Sequence, residues 1–260
     1  MIKEKVIFFG NGKLAEYALA VLARECQVIF HARTKEDLAK AVEIKKTTPE
    51  AHAVLASYGV MVPERVLAEF GPEGILNIHP SLLPKYRGAS PIESAILAGD
   101  TDFSVSVMKL VKAMDAGPIY YQETFSNLPL NKDAIYRALA EAGAEWVSKN
   151  LAHLPEPKPQ DDQEATFTAK LTKEMGLLTP DTDTAEETLR KIVAYQDFPK
   201  AKYTFFGKNC AILEAHIVQK GEIAVLPLPC ANDSVLSIDR LRPDGKRPMD
   251  AKSFLNGYKR

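Results

Sequence analysis

The sequence has few cysteines and no long apolar run. Only three of its 260 residues are cysteines, and they lie far apart, at Cys26, Cys210 and Cys230. A sparse, odd set excludes a disulfide framework and offers no CxxC metal knuckle, so we expect no metal and a reducing, cytoplasmic setting. Since no stretch approaches about 18 apolar residues and no secretory signal opens the chain, we expect no membrane span.

The sequence also has almost no net charge, −1 in total. This value excludes a chain that is basic throughout, but it permits a local basic surface. Apolar residues make up 46% and charged residues 26%. These ordinary proportions exclude global disorder, a collagen-like repeat and a coiled coil. At about 150 residues per domain, the length favours two unequal domains, with one large domain as the alternative.

The first part of the chain alternates short apolar runs with helical patterns. Strands are predicted at 6–9, 27–30, 53–56, 74–78 and 103–110. Helices are predicted after the turn Gly10-Asn11-Gly12, at 34–45 with Thr34 as its cap, and at 64–69, 90–98 and 131–151. Strands that alternate with helices predict right-handed βαβ units and a Rossmann-like, mostly parallel open sheet.

The composition changes near residue 153. Pro155, Pro157 and Pro159 fall within five positions and predict a stiff, extended linker over residues 155–163. The tail beyond it has one helical segment and several strand-like runs, at 184–194 and at 202–206, 210–217, 222–227 and 234–239. We therefore predict an α/β domain over residues 1–154 and a small, OB-like β-barrel domain over residues 164–260.

Two interpretations are open for the pattern Gly10-x-Gly12-x-x-Ala15, which follows a strand and precedes a helix. Such glycines permit the close approach of a pyrophosphate, as in dinucleotide-binding sites. The acidic residue that would hold the ribose is absent, since the second strand ends in His31-Ala32-Arg33. The alternative is a glycine turn that packs the first strand against the first helix.

A stronger chemical signal begins at Asn77. Asn77 and His79 stand two apart at a strand end, so their side chains face the same way. An amide donor and an imidazole aimed at one point suit a developing oxyanion and a proton transfer. Pro80 and Pro84 stiffen the following loop, and we expect the backbone groups of residues 81–83 to stay unpaired and available to a planar heterocycle. The alternative is a structural loop with a capped histidine.

A carboxylate follows the fifth predicted strand, in the stretch Met114-Asp115-Ala116-Gly117-Pro118. Loops after the carboxyl ends of strands bind the ligands of open α/β sheets. We expect Asp115 to orient His79 there. The alternative is an aspartate that only shapes the turn.

Together, these motifs resemble the signature of the folate-dependent formyltransferases. The similarity lies in Asn77-x-His79-x-Ser81-Leu82-Leu83-Pro84, in Arg87-Gly88, in Asp115-x-Gly117 and in the preceding segment 57–63. The resemblance implies a formyltransferase fold for the first domain, with Asn77, His79 and Asp115 as the catalytic residues. It also implies 10-formyltetrahydrofolate as the donor cosubstrate, held by Ser81, Leu82, Leu83 and Pro84 and by the backbone near Tyr58 and Val111.

Members of this family differ in the amine that they formylate. The segments 169–174 and 241–257 resemble the C-terminal domain of the methionyl-tRNA formyltransferases. The resemblance implies formyl transfer to the α-amino group of initiator methionyl-tRNA, and we expect a monomer. One alternative is an N-formyltransferase for a nucleotide-linked amino sugar. Another is a non-catalytic dinucleotide-binding module, which would have no need of Asn77, His79 and Asp115.

Two departures from the family pattern bear on these expectations. Only the residues from Ala32 to Val54 join the second and third strands, and they include no Arg-Gly-Lys-Lys cluster. The family's longer basic loop at this place is expected to enter the tRNA acceptor end. Val111 stands where the family often has an aspartate, so we expect one folate contact to differ.

The C-terminal residues 236–260 carry a local charge of +4 on a nearly neutral chain. Their cations are Arg240, Arg242, Lys246, Arg247, Lys252, Lys259 and Arg260. Clustered cations on a small β domain suit contact with a phosphate backbone. The alternative is a solvated lysine surface.

Overall fold

The computed structural model describes residues 3–258, so that Met1, Ile2 and the predicted basic residues Lys259 and Arg260 lie outside the described part. The elements up to residue 169 are, in chain order, β1 (Lys5–Gly10), α1 (Lys13–Glu25), β2 (Gln27–Ala32), α2 (Asp37–Thr47), β3 (His52–Ala56), α3 (Glu64–Leu67), β4 (Ile75–His79), β5 (Arg87–Gly88), α4 (Pro91–Ala98), β6 (Asp102–Lys109), β7 (Ile119–Ser126), α5 (Lys132–Asn150) and β8 (Phe167–Thr168).

One sheet organises this part of the chain, with the strand order β2-β1-β3-β4-β6-β7. The pairs β1–β2, β1–β3 and β3–β4 are parallel, which confirms the predicted Rossmann-like open sheet. The predicted fifth strand is present as β6, but it pairs antiparallel with β4, and β7 pairs antiparallel with β6. Hydrophobic periodicity identifies a strand and carries no information about its direction, so the sequence did not indicate that β6 runs antiparallel.

The sequence pattern did not reveal β7. Its side chains alternate between half-buried and exposed positions from Tyr121 to Ser126. This pattern is typical of a strand with one solvent-exposed face. Polar residues such as Gln122 and Thr124 occupy the exposed positions. Because they interrupt the apolar run, this segment was not recognised as a strand in the sequence.

Both faces of the central strands are buried. Ile7 and Phe9 of β1 pack into a core with Leu38 and Ala41 of α2. Phe8, which points the other way, is also fully buried. Helices α1 and α5 pack against each other, and α5 also contacts β4 and β6. A sheet covered on both faces explains why its strands read as continuous apolar runs.

Helix α2 begins later than predicted, and Thr34 does not cap it. The carboxylate of Asp37 accepts hydrogen bonds from the backbone N–H groups of Arg33 (2.7 Å) and Thr34 (2.8 Å) and from the Thr34 hydroxyl. An aspartate on the first helical turn therefore closes the preceding turn, which reverses the donor and acceptor roles expected of a threonine cap.

The residues from 170 onward form a smaller β-rich unit. Its elements are α6 (Ala185–Ala194), β9 (Lys202–Phe205), β10 (Lys208–Ile217), β11 (Pro227–Pro229), β12 (Val235–Pro243), β13 (Met249–Asp250) and α7 (Ala251–Tyr258). The strands form an antiparallel sheet of order β11-β12-β10-β9, with β13 paired to β12. Register shifts in β10 between Ile212 and Ala215 curl it into a half-barrel. The predicted small β domain is thus confirmed, although the strand predicted at 222–227 forms only at β11.

The two helices of this unit differ in how clearly the sequence marks them. Helix α6 was predicted correctly, and Thr184 and Glu187 form a reciprocal capping box at its start. Helix α7 was missed, although its apolar residues Ala251, Phe254, Leu255 and Tyr258 recur at helical spacing and pack into the core. The ring of Phe254 stacks on Tyr258 and contacts Phe205 edge-on, so this short helix closes the apolar core.

The proline-rich stretch is extended as predicted, but it is not a free spacer. Lys158 and Ile119 exchange two backbone hydrogen bonds of 2.7 and 2.8 Å, so the stretch lies against the start of β7.

By its contacts the chain divides into two compact units, residues 3–92 with 101–169 and residues 93–100 with 170–258. The domain bounds 1–154 and 164–260 stay a prediction. In the described residues, no helix has both the length and the apolar character needed to cross a bilayer.

Helix α5 reaches the sheet through Gly143. A Cβ atom there would lie 2.6 Å from Cγ2 of Ile78 and 3.2 Å from Cγ2 of Val105. We expect Gly143→Val to lower the free energy of unfolding of the first unit by about 1–3 kcal/mol, because the added atoms overpack the interface. Urea unfolding followed by the fluorescence of Trp146, the only tryptophan, measures the change.

Ala142→Val is the matched control, because Ala142 lies on the same helix and is partly exposed. It should cost less than about 1 kcal/mol, the helix-propensity difference alone. Equal destabilisation in the two variants would contradict the close approach of Gly143 to the sheet.

Candidate active site

A cavity of about 440 Å³ opens beside the end of β4. Its walls are the segment 57–62 after β3, residues 77–80, residues 88–92 and the loop 110–115, together with Leu14 of α1 and Tyr136 of α5. The volume lies within the range of small-molecule sites, about 300–1,000 Å³. Five of the predicted site residues therefore line the same cavity, namely Tyr58, Asn77, His79, Val111 and Asp115.

Asn77 and His79 project from β4 into this cavity. The side chain of Ile78 faces Gly143 of α5, so its neighbours Asn77 and His79 face the other side of the sheet. Both are only 5% exposed. Among the described residues, none holds the side-chain amide of Asn77 by a hydrogen bond. A buried amide of this kind has its donor and acceptor available for a ligand.

The imidazole of His79 is held at one nitrogen and faces a carboxylate with the other. Nε2 lies 3.1 Å from the carbonyl oxygen of Tyr86. Because a carbonyl oxygen can only accept, Nε2 carries a proton and donates it. Nδ1 lies 3.6 Å from Oδ1 of Asp115, an ion-pair distance that is too long for a hydrogen bond. Nδ1 is therefore the ring atom at which a proton can be gained or released.

Asp115 reaches His79 on a strained loop. Its φ angle of +49° lies in the left-handed region, which costs free energy for a residue with a Cβ. Oδ2 accepts a 2.8 Å hydrogen bond from the backbone N–H of Gly88. Gly117 permits the loop to close, since a Cβ there would lie 1.7 Å from the carbonyl oxygen of Lys109. The structure brings Asn77, His79 and Asp115 together as the sequence predicted.

The Asp115 loop does not follow the carboxyl end of a parallel strand, which was the expected reason for its position. Because β6 runs antiparallel to β4, its last residue, Lys109, pairs with Leu76 near the start of β4. The loop after β6 therefore begins away from the carboxyl end of β4. Residues 110–115 line the cavity up to His79 and carry the carboxylate there.

Ser81, Leu82, Leu83 and Pro84 follow the cavity-lining residues of β4 and pair backbone groups within the protein. The Ser81 carbonyl accepts from the Ser106 hydroxyl (2.6 Å), and the Leu83 N–H donates to the same hydroxyl (3.1 Å). The Leu83 carbonyl accepts from Nε2 of Gln122 (2.8 Å). The expectation of unpaired backbone groups is therefore wrong for Ser81 and Leu83, and the Leu82 carbonyl accepts from the N–H of Lys85 (3.0 Å). Direct contact of these four residues with a ligand stays a prediction.

Tyr58 and Val111 both line the cavity. The Tyr58 hydroxyl donates to the carbonyl oxygen of Thr34, which fixes the ring. Burial raises the pKa of this phenol to about 12, so the hydroxyl stays a hydrogen-bond donor at neutral pH. Met61 and Met114 are exposed at the same cavity and add flexible apolar surface.

The glycine turn after β1 is explained by packing. A Cβ on Gly10 would lie 2.5 Å from the carbonyl oxygen of Ala56 and 2.7 Å from Cβ of Ala15. The backbone N–H of Asn11 donates to the Ser57 carbonyl (3.0 Å). At Gly10 these distances agree with a turn that packs the first strand against the first helix, and they add a close contact with β3.

Sequence reasoning missed the residues that hold the loops around the cavity. Ser106 and Gln122 support the loop after β4, and Gln160 donates to the carbonyl oxygens of Asp115 (2.8 Å) and Gly117 (2.7 Å). Single polar residues at these positions carry no local pattern. Among the described residues, no cluster of three or more His, Cys, Asp or Glu side chains is arranged for a metal ion.

The arrangement suits acyl transfer. The amide of Asn77 and the protonated imidazole of His79 are donors for an oxygen that gains negative charge, and burial strengthens both interactions. The Asp115 carboxylate lies within ion-pair distance of Nδ1 of His79, at 3.6 Å. A site of this kind also moves a proton, since one histidine nitrogen is held and the other can exchange its proton.

Comparison with known proteins agrees with this chemistry. The family described as formyl transferase matches residues 8–151, and the family described as formyl transferase, C-terminal domain, matches residues 170–259. The chain is similar to the methionyl-tRNA formyltransferase of Granulibacter bethesdensis. The two are 33% identical over 94% of this chain and 78% of the relative.

Two solved structures share the fold. Methionyl-tRNA formyltransferase from Clostridium thermocellum has a TM-score of 0.68 and 16% identity, over 96% of this chain and all of the other. HypX from Aquifex aeolicus, in complex with tetrahydrofolic acid, has a TM-score of 0.74 and 19% identity. The match covers 99% of this chain, which spans about half the length of HypX, 48%. From the family matches and the 33% identity over most of its length, this chain belongs to the formyl transferase family.

Proposed function

We propose that this chain transfers the formyl group of 10-formyltetrahydrofolate to the α-amino group of methionyl-tRNA. The observation that carries the proposal is the meeting of Asn77, His79 and Asp115 at one wall of a ligand-sized cavity. The relative named methionyl-tRNA formyltransferase, which aligns with nearly the whole chain, supports the choice of acceptor. We also propose that the protein acts in the cytoplasm, as a monomer and without a metal.

The proposed chemistry begins with attack of the neutral acceptor amine on the formyl carbon. A carbon–nitrogen bond forms, and the formyl oxygen gains negative charge. The buried amide of Asn77 donates a hydrogen bond to this oxygen, and His79 in its protonated form adds a positive charge nearby. Both groups are buried before reaction, so little reorganisation opposes their effect.

A proton then has to move from the attacking nitrogen to the leaving nitrogen. Because His79 is protonated at this point, Nδ1 first gives its proton to the leaving nitrogen and then takes the proton of the attacking nitrogen, while Nε2 stays bound to the carbonyl of Tyr86. Asp115 stabilises the imidazolium during the transfer. The bond from the formyl carbon to the donor nitrogen breaks as that nitrogen receives the proton, which leaves tetrahydrofolate and a formylated amine.

The cavity fits a folate donor on two grounds. Its volume is that of a small-molecule site, and the Asn77 amide presents an unused donor and acceptor at its wall. We propose that the backbone near Tyr58 and Val111 contacts the donor, since both residues line the cavity. Ser81 to Pro84 are proposed as further donor contacts at its edge, with Leu82 partly exposed there.

Docking of tRNA has to differ from that of relatives with a basic loop after the second strand. Here a short turn and α2, an 11-residue helix, fill this connection. We propose that the cations of the C-terminal unit contact the phosphate backbone instead. Lys246 and Arg247 are exposed in the turn between β12 and β13, whereas Arg240 already pairs with Glu214 at 3.3 Å.

The absence of the basic loop also favours a second candidate, an amino-sugar N-formyltransferase with the same catalytic residues. Incubation with 10-formyltetrahydrofolate and either charged initiator tRNA or nucleotide-linked amino sugars separates the two. We expect formylmethionyl-tRNA as the product, and uncharged tRNA as the control should remain unmodified. Transfer to a sugar without transfer to tRNA would overturn the proposal.

His79 provides the test of the mechanism. We expect His79→Asn, which keeps a polar side chain of similar size, to lower kcat about 10²- to 10⁴-fold, because general acid–base catalysis is removed. His153→Asn is the control, since His153 is exposed; its kcat should be unchanged. Steady-state kinetics with a urea-unfolding check measures both. Wild-type turnover in a folded His79→Asn protein would remove His79 from the mechanism.

The proposed docking surface predicts a strong dependence of methionyl-tRNA affinity on salt. Replacement of Lys246 and Arg247 by alanine should weaken binding and lower the slope of log K against log salt by about one for each phosphate that is no longer neutralised. Filter binding at several salt concentrations measures the slope. Lys40→Ala on α2 is the control. Equal slopes in wild type and double variant would contradict phosphate binding at this turn.

A further inference from the structure

The loop that carries Asp115 is held from the segment after α5. Nε2 of Gln160 donates to the carbonyl oxygen of Asp115 at 2.8 Å and to that of Gly117 at 2.7 Å. Gln160 lies in the proline-rich stretch, 45 residues beyond Asp115 in the chain. Its amide group therefore joins two carbonyls of one loop to a distant part of the chain.

Asp115 depends on such restraint because its backbone is in the left-handed region, at a φ of +49°. Its carboxylate is held through Oδ2 by the N–H of Gly88 (2.8 Å), and its main-chain carbonyl is held by Gln160. One bond thus fixes the side chain and the other fixes the backbone. Together they set the direction in which Oδ1 faces Nδ1 of His79.

Gln160 is itself fixed by a buried arginine. Its Oε1 accepts from Nε (3.1 Å) and Nη2 (2.7 Å) of Arg87. Nη2 of Arg87 also pairs with Asp162 at 2.7 Å. Because Oε1 is taken by Arg87, the NH2 group of Gln160 is directed at the loop. Arg87 precedes Gly88 in β5, so both supports of Asp115 are connected through one strand.

We propose that Gln160 is a positioning residue for the formyl transfer, which acts by donating hydrogen bonds to the Asp115 loop and so aligns the carboxylate with His79. This inference rests on the proposed function for its kinetic consequences. A competing role for Gln160 is purely structural, as a neutral partner for the buried Arg87.

Two substitutions separate these roles. Gln160→Glu keeps an acceptor for Arg87 but removes both donors and sets a carboxylate oxygen against the two loop carbonyls. Gln160→Met has a similar length and makes neither set of bonds. Gln163→Glu is the matched control, because Gln163 lies three residues away and its side chain is exposed.

We expect Gln160→Glu and Gln160→Met to lower kcat about 10- to 100-fold, since a small displacement of a catalytic group has effects of this size. KM for donor and acceptor should stay within twofold of wild type, and Gln163→Glu should match wild type throughout. If kcat of Gln160→Glu is within twofold of wild type, the proposal is overturned. The only role of Gln160 would then be to accept hydrogen bonds from Arg87.

A double-mutant cycle tests whether the effect passes through Asp115. In an Asp115→Asn background, Gln160→Glu should change kcat less than twofold, because the group that it positions is already gone. A full 10- to 100-fold decrease in that background would overturn the positioning role.

A readout without turnover keeps this inference separate from the proposed function. The ring signals of His79 in a ¹H–¹⁵N spectrum at pH 7 should shift in Gln160→Glu and stay in place in Gln163→Glu. If wild type forms no formylated product, the proposed function fails and the spectrum alone decides the inference. Unshifted His79 signals in a folded Gln160→Glu protein would overturn it.

Discussion

The burial of β4 between β3 and β6 is the constraint on which the rest of the site depends. Because both faces of this strand are covered, alternate residues meet different surroundings. Ile78 packs on Gly143 of α5, and Asn77 and His79 face the cavity. A one-residue slip in register would exchange these faces. The apolar contact of a glycine and an isoleucine thus determines where an amide and an imidazole point.

The loops around the cavity pair backbone polar groups with the protein itself. Ser106 and Gln122 bond to the loop after β4, and Gly88 and Gln160 bond to the Asp115 loop. Internal pairing of this kind fixes loops without regular secondary structure. The side chains of Asn77 and His79 on β4 and of Asp115 on its loop are polar groups that line the cavity.

The net charge of −1 does not show that the charged residues of the two units lie in different surroundings. In the first unit the guanidinium of Arg87 is buried and pairs with Asp162 and with Gln160, which bonds to the Asp115 loop. In the second unit cations are exposed at a turn, as at Lys246 and Arg247. Buried charges require partners, and exposed ones remain available to a charged macromolecule.

The sequence by itself determined the parallel half of the sheet, the small β unit and the common face of Asn77 and His79, because each rests on a local signal. Apolar runs mark strands, and a two-residue spacing places Asn77 and His79 on one face. The tertiary structure alone decided the antiparallel direction of β6, the presence of β7, the pairing of residues 81–83 and the part taken by Gln160. Strand direction and hydrogen bonds between residues 23 to 45 positions apart leave no periodic trace in a chain, since they depend on how distant segments are brought together by packing.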